Sequence, residues 1–237
     1  MPQHFETTRW SLVLAARRGS TPEAHEALST LCQLYWSPLY AFIRRQGHGP
    51  EEAHDLAQGF FTRMLEKNQL VIADRQRGRF RSWLLASLQH YLSNAHDAEH
   101  ALKRGGGQEF LSLDSVAAEN EYRILEPAHD VTPERLFERQ WALALLERVL
   151  ATLREECLRT GKGALFDMLK VMLQGEAGES SYQELAAGLG CSPGALKVAA
   201  HRLRRRYREL LREEIAQTVE SPEDIDDELR NLLVALG

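Results

Sequence analysis

Apolar residues recur three and four positions apart along almost the whole chain, and no segment shows the sustained alternation of a half-buried strand. The first long series consists of Leu28, Leu31, Cys32, Tyr35, Leu39, Phe42 and Ile43. Comparable series follow within residues 56–65, 83–92, 136–153 and 165–172. The pattern therefore predicts an all-α protein.

One break interrupts this pattern. Residues 105–107 are three consecutive glycines, and polar, acidic sequence with few large apolar residues continues to Pro133. A glycine triplet costs backbone entropy when ordered, and it cradles a phosphate only between a strand and a helix. We therefore predict a flexible linker over residues 105–133. It would join two helical domains, residues 1–104 and 134–212, and an acidic tail would follow over residues 213–237.

Composition narrows the protein class. A chain of 237 residues with 43% hydrophobic content can bury a core, which excludes wholesale disorder. Its apolar runs are far shorter than the roughly 20 residues of a membrane span, and the first residues lack the apolar segment of a signal peptide. Three widely spaced cysteines are typical of a reducing compartment rather than of a disulfide framework. We expect a cytoplasmic protein without a cofactor.

The net charge of −5 averages segments of opposite sign. Six basic residues stand against two acidic ones in residues 75–104, and seven against two in residues 181–212. Residues 213–237 contain eight acidic residues and one arginine. Because the local sign of the charge governs phosphate binding, two basic segments predict two contacts with one polyanion.

Residues 181–212 have the spacing of a helix-turn-helix. Ser181 and Glu184 form the capping box of a short helix, and Gly188 and Gly190 bracket a turn. Ser192 and Pro193 then supply the N-cap and first position of a second helix. In a helix-turn-helix the second helix enters the major groove with its N-terminal residues against the bases, so we predict DNA binding here.

The residues of this second helix divide into two predicted roles. Those near its N-terminus can reach base edges: Ser192, Gly194, Lys197, Val198 and His201. Those further along can hold phosphates: Arg202, Arg204, Arg205 and Arg206. An ordinary solvated basic face is the alternative interpretation.

The other basic segment, residues 75–104, has a different residue pattern. Arg75, Arg77, Arg79 and Arg81 are interleaved with Gly78 and Phe80, and Trp83 follows in a predicted helix. Cations threaded with aromatic rings suit single-stranded or distorted nucleic acid, in which bases can stack on the rings. The alternative is that Phe80 and Trp83 are core residues, which we favour for Trp83.

In this order and spacing, the chain resembles the extracytoplasmic-function sigma factors, members of the sigma-70 family of bacterial RNA polymerase, over about residues 28–212. The pattern Asp-x-x-Gln-x-x-Phe is matched by Asp55, Gln58 and Phe61, and the pattern Phe-x-x-Trp-Leu by Phe80, Trp83 and Leu84. The last domain of the family is matched by residues 181–186 and by Gly194, Lys197, His201 and Arg202. The tail marks a divergent branch.

The resemblance implies a sigma factor for a stress- or signal-responsive regulon, acting with core polymerase and not itself an enzyme. The helix over residues 55–65 would bind the clamp coiled coil of the largest polymerase subunit through Asp55, Gln58, Phe61 and Met64. The first basic segment would melt the downstream promoter element and hold a flipped base. Its candidate residues are Arg77, Arg79, Arg81, Gln89, His90 and Asn94. The helix from Pro193 would read the upstream element as duplex.

Regulation is predicted at two places. His54 and Gly59 stand where the family often has acids, so phosphorylation of Thr62 by a Ser/Thr kinase, adding about −1.5 to −2 charges, would tighten polymerase binding. An unmodified surface threonine is the alternative. The tail from Ser221 to Leu236 predicts a capped amphipathic helix that folds onto the basic C-terminal domain and competes with DNA. Simple packing, or a site for a partner such as an anti-sigma protein, is the alternative.

Two other functions compete. A freestanding helix-turn-helix regulator would bind duplex DNA without polymerase. His96, Glu99 and His100 also match the H-x-x-E-H pattern of a zinc peptidase helix. That chemistry needs a third ligand and a cavity, which no motif marks, so we favour a chance match on a solvated helical face and predict no metal site.

Overall fold

The computed structural model describes residues 21–66, 70, 79–99, 115–124, 131–173, 183, 185–186, 191–216, 218–219 and 221–237. Every regular element within these ranges is a helix, which confirms the all-α prediction. The α-helices are α1 (Pro22–Arg45), α2 (Pro50–Glu66), α3 (Phe80–Glu99), α4 (Ser115–Ile124), α5 (Pro133–Arg159), α6 (Gly163–Leu169), α7 (Pro193–Ala216) and α8 (Ile225–Leu236). Short 3-10 turns at Lys170–Leu173 and Pro222–Asp224 follow α6 and precede α8. Among the described helices, none has the length and apolar character needed to cross a membrane.

Local sequence explains where these helices begin and end. Proline suits a first helical position because the N–H it lacks would be unpaired there, and it begins four helices, at Pro22, Pro50, Pro133 and Pro193. The predicted N-cap Ser192 is confirmed, since its Oγ accepts a hydrogen bond from the Ala195 N–H at 3.2 Å. Gly47 and Gly161 follow α1 and α5 with φ values of +101° and +70°, a conformation that glycine adopts without strain.

The chain divides into two compact units. One contains residues 1–144 and 215–237, and the other contains residues 145–214. The division lies within α5, whereas the sequence predicts it in the linker before that helix. The reason is that the first half of α5 carries large apolar side chains, Leu136, Phe137 and Trp141, all buried.

Aromatic side chains hold the core of the first unit together. Trp36 of α1 stacks on Phe61 of α2, with ring centroids 6.2 Å apart. Tyr35 of α1 meets Phe80 of α3 edge-on at 5.5 Å. Phe60 of α2 meets Tyr91 of α3 in the same geometry at 5.7 Å. Such pairs contribute about 0.5–1.5 kcal/mol each beyond the burial of their area, so α1, α2 and α3 form one packed cluster.

A helix occupies part of the segment predicted as a flexible linker. Ala118 and Tyr122 of α4 are buried, and Glu119 accepts hydrogen bonds from Tyr40 Oη at 2.7 Å and Arg44 Nε at 2.9 Å on α1. The Arg44 guanidinium also lies 4.9 Å from the centroid of the Tyr122 ring. The linker prediction therefore needs correction at Ser115–Ile124, where buried Ala118 and Tyr122 and the Arg44–Glu119 ion pair hold α4 in place. Residues 105–107, the glycine triplet, lie outside the described residues.

The second unit has a small apolar core. It consists of Leu169, Ala186, Leu196 and Ala200, with Leu165, Leu185, Ala199 and Leu203 packed around it. Gln183, Leu185 and Ala186 are helical, and the Cys191 N–H donates to the Ala186 carbonyl at 3.1 Å immediately before α7. The predicted capping box, Ser181 with Glu184, lies outside the described residues, as do both turn glycines.

Candidate nucleic-acid and polymerase interfaces

The N-terminal half of α7 has two opposite faces. Leu196 and Ala200 are buried in the second unit's core. Gly194, Lys197, Val198 and His201 are exposed at positions i, i+3, i+4 and i+7, which lie on one side of a helix. Val198 is 51% exposed although its side chain is apolar. Every residue predicted to reach base edges is therefore accessible, Ser192 at the N-cap and the other four within the first three turns of α7.

The arginines predicted to hold phosphates differ in how firmly they are held within the chain. Arg202 and Arg205 are exposed, and Arg204 is half-buried. The Arg205 Nε bonds Glu209 one turn along the helix at 2.8 Å, a surface pair that contributes little to stability and leaves the guanidinium at the surface. Arg202 and Arg205 are thus placed at the surface, where a phosphate could reach them.

Arg206 has strong internal partners. Its Nε and Nη2 donate to the two carboxylate oxygens of Glu156 on α5 at 2.9 and 2.7 Å, and its Nη1 donates to Glu213 at 3.0 Å. The hydrogen bond with Glu156 is the main reason that the pKa of Arg206 is raised. A bidentate arginine–carboxylate pair fixes both side chains, so the contacts of Arg206 hold α7 against the second half of α5. Its role as a phosphate contact stays a prediction, for which DNA would compete with Glu156 and Glu213.

The described part of α3 exposes polar side chains. His90 and Asn94 are exposed, and Gln89 is half-buried with its Nε2 3.2 Å from Glu134 of α5. The Asn94 Nδ2 donates to the His90 carbonyl at 2.8 Å, which leaves the side-chain oxygen as an acceptor. Trp83 is half-buried and stacks on the buried Phe80 at 5.4 Å, so Phe80 is the core residue of the two. Amides and an imidazole can hydrogen-bond base edges.

The arginines at the start of α3 are engaged by the acidic tail. Arg81 is only 4% exposed, its Nε bonds Glu138 of α5 at 2.7 Å, and its Nη1 bonds Glu228 of α8. The Arg81 guanidinium lies 4.1 Å from the centroid of the Trp141 ring. Arg79 is partly exposed, with its Nε 2.9 Å from Glu228. The prediction that Arg81 faces DNA is therefore corrected for this arrangement, and Arg77 lies outside the described residues.

The tail helix forms as predicted, but its partner differs from the prediction. Ser221 donates from its N–H and Oγ to Asp224 at 3.2 and 3.0 Å, and α8 follows. The sequence predicts that the tail folds onto the C-terminal domain, whereas α8 belongs to the first unit, where Glu228 meets the first basic segment. One signal could have revealed Glu228: it lies three residues after Ile225 and four before Leu232, on the apolar face of the helix.

The predicted polymerase-binding residues of α2 lie on two sides of the helix. Asp55 is exposed and Gln58 partly exposed, but Phe61 and Met64 are both buried. Phe61 packs against Trp36, so it is a core residue and its predicted contact with polymerase is corrected. Thr62, partly exposed and seven residues from Asp55, lies on the accessible side with Asp55 and Gln58.

The two departures of α2 from the family pattern have structural causes. A Cβ built on Gly59 would collide with the Tyr91 hydroxyl oxygen of α3, so any side chain there must displace a ring. His54 meets Trp36 edge-on at 5.3 Å and lies partly in the core. Both positions serve the packing of α2, Gly59 against Tyr91 of α3 and His54 against Trp36 of α1.

The histidine motif at the end of α3 lies largely outside the described residues. His96 and Glu99 lie in the helix with side chains outside the described residues, and His100 lies outside them altogether. Among the described residues, no group of three His, Cys, Asp or Glu side chains is placed to hold a metal ion.

Comparison of the whole chain with family models, curated proteins and solved structures gives no match.

Proposed function

We propose that the protein is a sigma factor, a subunit that gives bacterial RNA polymerase its promoter specificity and initiates transcription of a stress- or signal-responsive regulon. The exposed stripe on α7 carries the proposal. Gly194, Lys197, Val198 and His201 present a close backbone approach, a cation, an apolar contact and an imidazole on successive turns. This combination suits guanine acceptors, thymine methyl groups and base edges of the major groove.

The face of α3 supports a second contact of a different kind. Gln89, His90 and Asn94 offer hydrogen-bond donors and acceptors, and Trp83 of the same helix is half-buried. Amide and imidazole groups suit an unpaired base, whose Watson–Crick edge is open. Duplex reading by one helix and unpaired-base capture by another is the division of labour that promoter opening requires.

Polymerase would bind the accessible side of α2. Glu51, Asp55 and Gln58 lie on this side together with Thr62. Phosphorylation of Thr62 would extend the acidic row by one turn, and a positively charged partner surface would then be held more tightly.

Titration with core polymerase tests the proposal. We expect a complex with the full chain, tighter binding for Thr62→Glu than for Thr62→Ala, and no change for Thr160→Glu, an exposed threonine of the other unit. If Thr62→Glu binds as the unmodified chain does while Thr62→Ala is fully active, control by phosphorylation is rejected. If no variant binds core enzyme, the sigma-factor proposal is rejected with it.

One observation favours the second candidate, a freestanding helix-turn-helix regulator. The burial of Phe61 and Met64 removes two of the four polymerase contacts that the sequence predicts. A regulator would bind a specific duplex with unchanged affinity in the presence or absence of core enzyme. It would not bind premelted promoter DNA through α3.

A further inference from the structure

We propose that α8 is an internal cover of the first basic segment, in which the Glu228 carboxylate occupies a site for a nucleic-acid phosphate. Single-stranded DNA would displace α8 in order to reach Arg79 and Arg81. This inference rests on the proposed function for the identity of the ligand, single-stranded DNA. It adds that α8 keeps the first basic segment closed in the free protein.

The site has the geometry of an anion site. Glu228 is fully buried, its Oε2 lies 2.9 Å from Arg79 Nε and 3.4 Å from Arg81 Nη2, and its Oε1 bonds Arg81 Nη1. Two guanidinium groups on one carboxylate present the planar donors that also suit phosphate oxygens. A phosphodiester at this position would meet the same donors.

The basic surface extends beyond the carboxylate. A cavity of about 460 Å³ lies beside it, and its lining includes four arginines, Arg79, Arg81, Arg135 and Arg139, and two acids, Glu134 and Glu138. Glu228 bonds Arg79 and Arg81, and Glu138 bonds Arg81 as well. Four cations against two acids leave the lining basic, so a ligand with several phosphates would meet more of these arginines than a single carboxylate does.

The contacts that hold α8 on the first unit are few enough for the helix to be displaced. Only Glu228 and Leu232 of the helix are buried, while Leu233 and Val234 are 67% and 75% exposed. A buried ion pair contributes little net stability, since the desolvation of both charges offsets their attraction. An element with one fully buried leucine and one such pair, and with Ile225, Leu229 and Leu236 only partly buried, belongs to the low-stability end of a fold.

Oligo-dT binding by the full chain tests the cover. Fluorescence anisotropy with an oligo-dT of about 16 nucleotides would compare the unaltered chain with Glu228→Gln and with Glu223→Gln. Glu223 is an exposed acid just before α8, so the control loses the same charge without touching the site. If the covered form holds about nine tenths of the molecules, Glu228→Gln lowers Kd about tenfold and Glu223→Gln leaves it nearly unchanged.

If Glu228→Gln folds poorly, hydrogen exchange of the unaltered chain still tests whether oligo-dT displaces α8. We expect amides of α8 to exchange faster when oligo-dT is bound. Equal Kd values for the three proteins, no binding by any of them, or unchanged α8 protection in the bound state would each overturn the proposal. Core-polymerase association is measured separately: its absence, with the Glu228→Gln effect intact, rejects the sigma-factor function and leaves the cover standing.

Discussion

Lys197 and Val198 project from the first turns of α7 on the side opposite the core, with Val198 half exposed. Burial of an exposed apolar side chain against another apolar surface lowers the free energy. In the major groove, the thymine methyl group provides such a surface. Residues at these positions should therefore decide which bases are preferred.

We expect Val198→Ala and Lys197→Ala each to weaken binding to the preferred upstream sequence by about 1–3 kcal/mol and to relax the preference at one base pair. Arg202→Ala is the matched control, because a phosphate contact weakens binding to all sequences alike and lowers the salt dependence by about one unit. Selection from a randomised duplex library measures both. An unchanged preference in Lys197→Ala and Val198→Ala would contradict the assignment of α7 as the reading helix.

Acid should loosen the attachment of α4. Burial raises the pKa of Glu119, but hydrogen bonds from Arg44, Tyr40 and Arg123 outweigh it and lower the pKa to about 2. A carboxyl group with a depressed pKa in the folded state stabilises that state fully above its unfolded pKa of about 4.3 and loses this effect as the pH falls towards 2.

The contribution of the ionised Glu119 carboxylate is measured as the difference in the free energy of unfolding between the unaltered chain and Glu119→Gln. The advantage of the unaltered chain should be largest near pH 6 and shrink progressively below about pH 4.3. A difference that stays constant over that range would show that the ion pair with Arg44 does not stabilise the docked helix.

Single residues also show what the sequence cannot predict. It identifies Arg81 as basic, but its partners Glu138 and Glu228 are 57 and 147 positions away, and no local pattern joins them. Phe61 likewise matches a motif, yet whether it faces a partner or the core depends on Trp36 of another helix. Side-chain type follows from the sequence; which neighbour meets the side chain is set by tertiary packing.

At the level of elements, the predictable features are those encoded within a few residues. Ser192 and Pro193 fix the start of α7, and Ser221 with Asp224 opens the turn before α8. By contrast, α4 lies where the sequence predicts a linker, because its stability comes from Glu119 and Tyr122 meeting Arg44 of α1. A short helix with few apolar residues forms only in such a context.

The close approach of α2 to α3 gives a prediction at this scale. Glycine inside a helix costs about 1 kcal/mol relative to alanine, but a Cβ on Gly59 would collide with the Tyr91 hydroxyl. Gly59→Ala alone should therefore fail to stabilise the protein. In a Tyr91→Phe background, which removes the colliding oxygen, the same change should raise the free energy of unfolding by about 0.5–1 kcal/mol. Urea denaturation of the four proteins measures the coupling; additive effects would contradict the close approach.

At the scale of the whole molecule, the all-α class is predictable from periodicity, whereas the division of the chain is not. Residues 215–237 belong to the first unit although the 70 residues of the second unit precede them, and the boundary lies inside α5. On charge alone, the sequence predicts that the acidic tail contacts the basic residues 181–212, which precede it directly. A buried carboxylate, however, needs donors at hydrogen-bonding distance, and Arg79 and Arg81 provide them.

Reconstituted run-off transcription on a genomic fragment library tests whether this chain is a sigma factor. We expect transcripts with defined 5′ ends from a small set of fragments when core polymerase and this chain, unmodified or as Thr62→Glu, are both present. We also expect Lys197→Ala to reduce these transcripts on duplex templates more than on premelted ones. A transcript pattern identical to that of core polymerase alone, obtained with folded chain in both forms, would contradict the sigma-factor proposal.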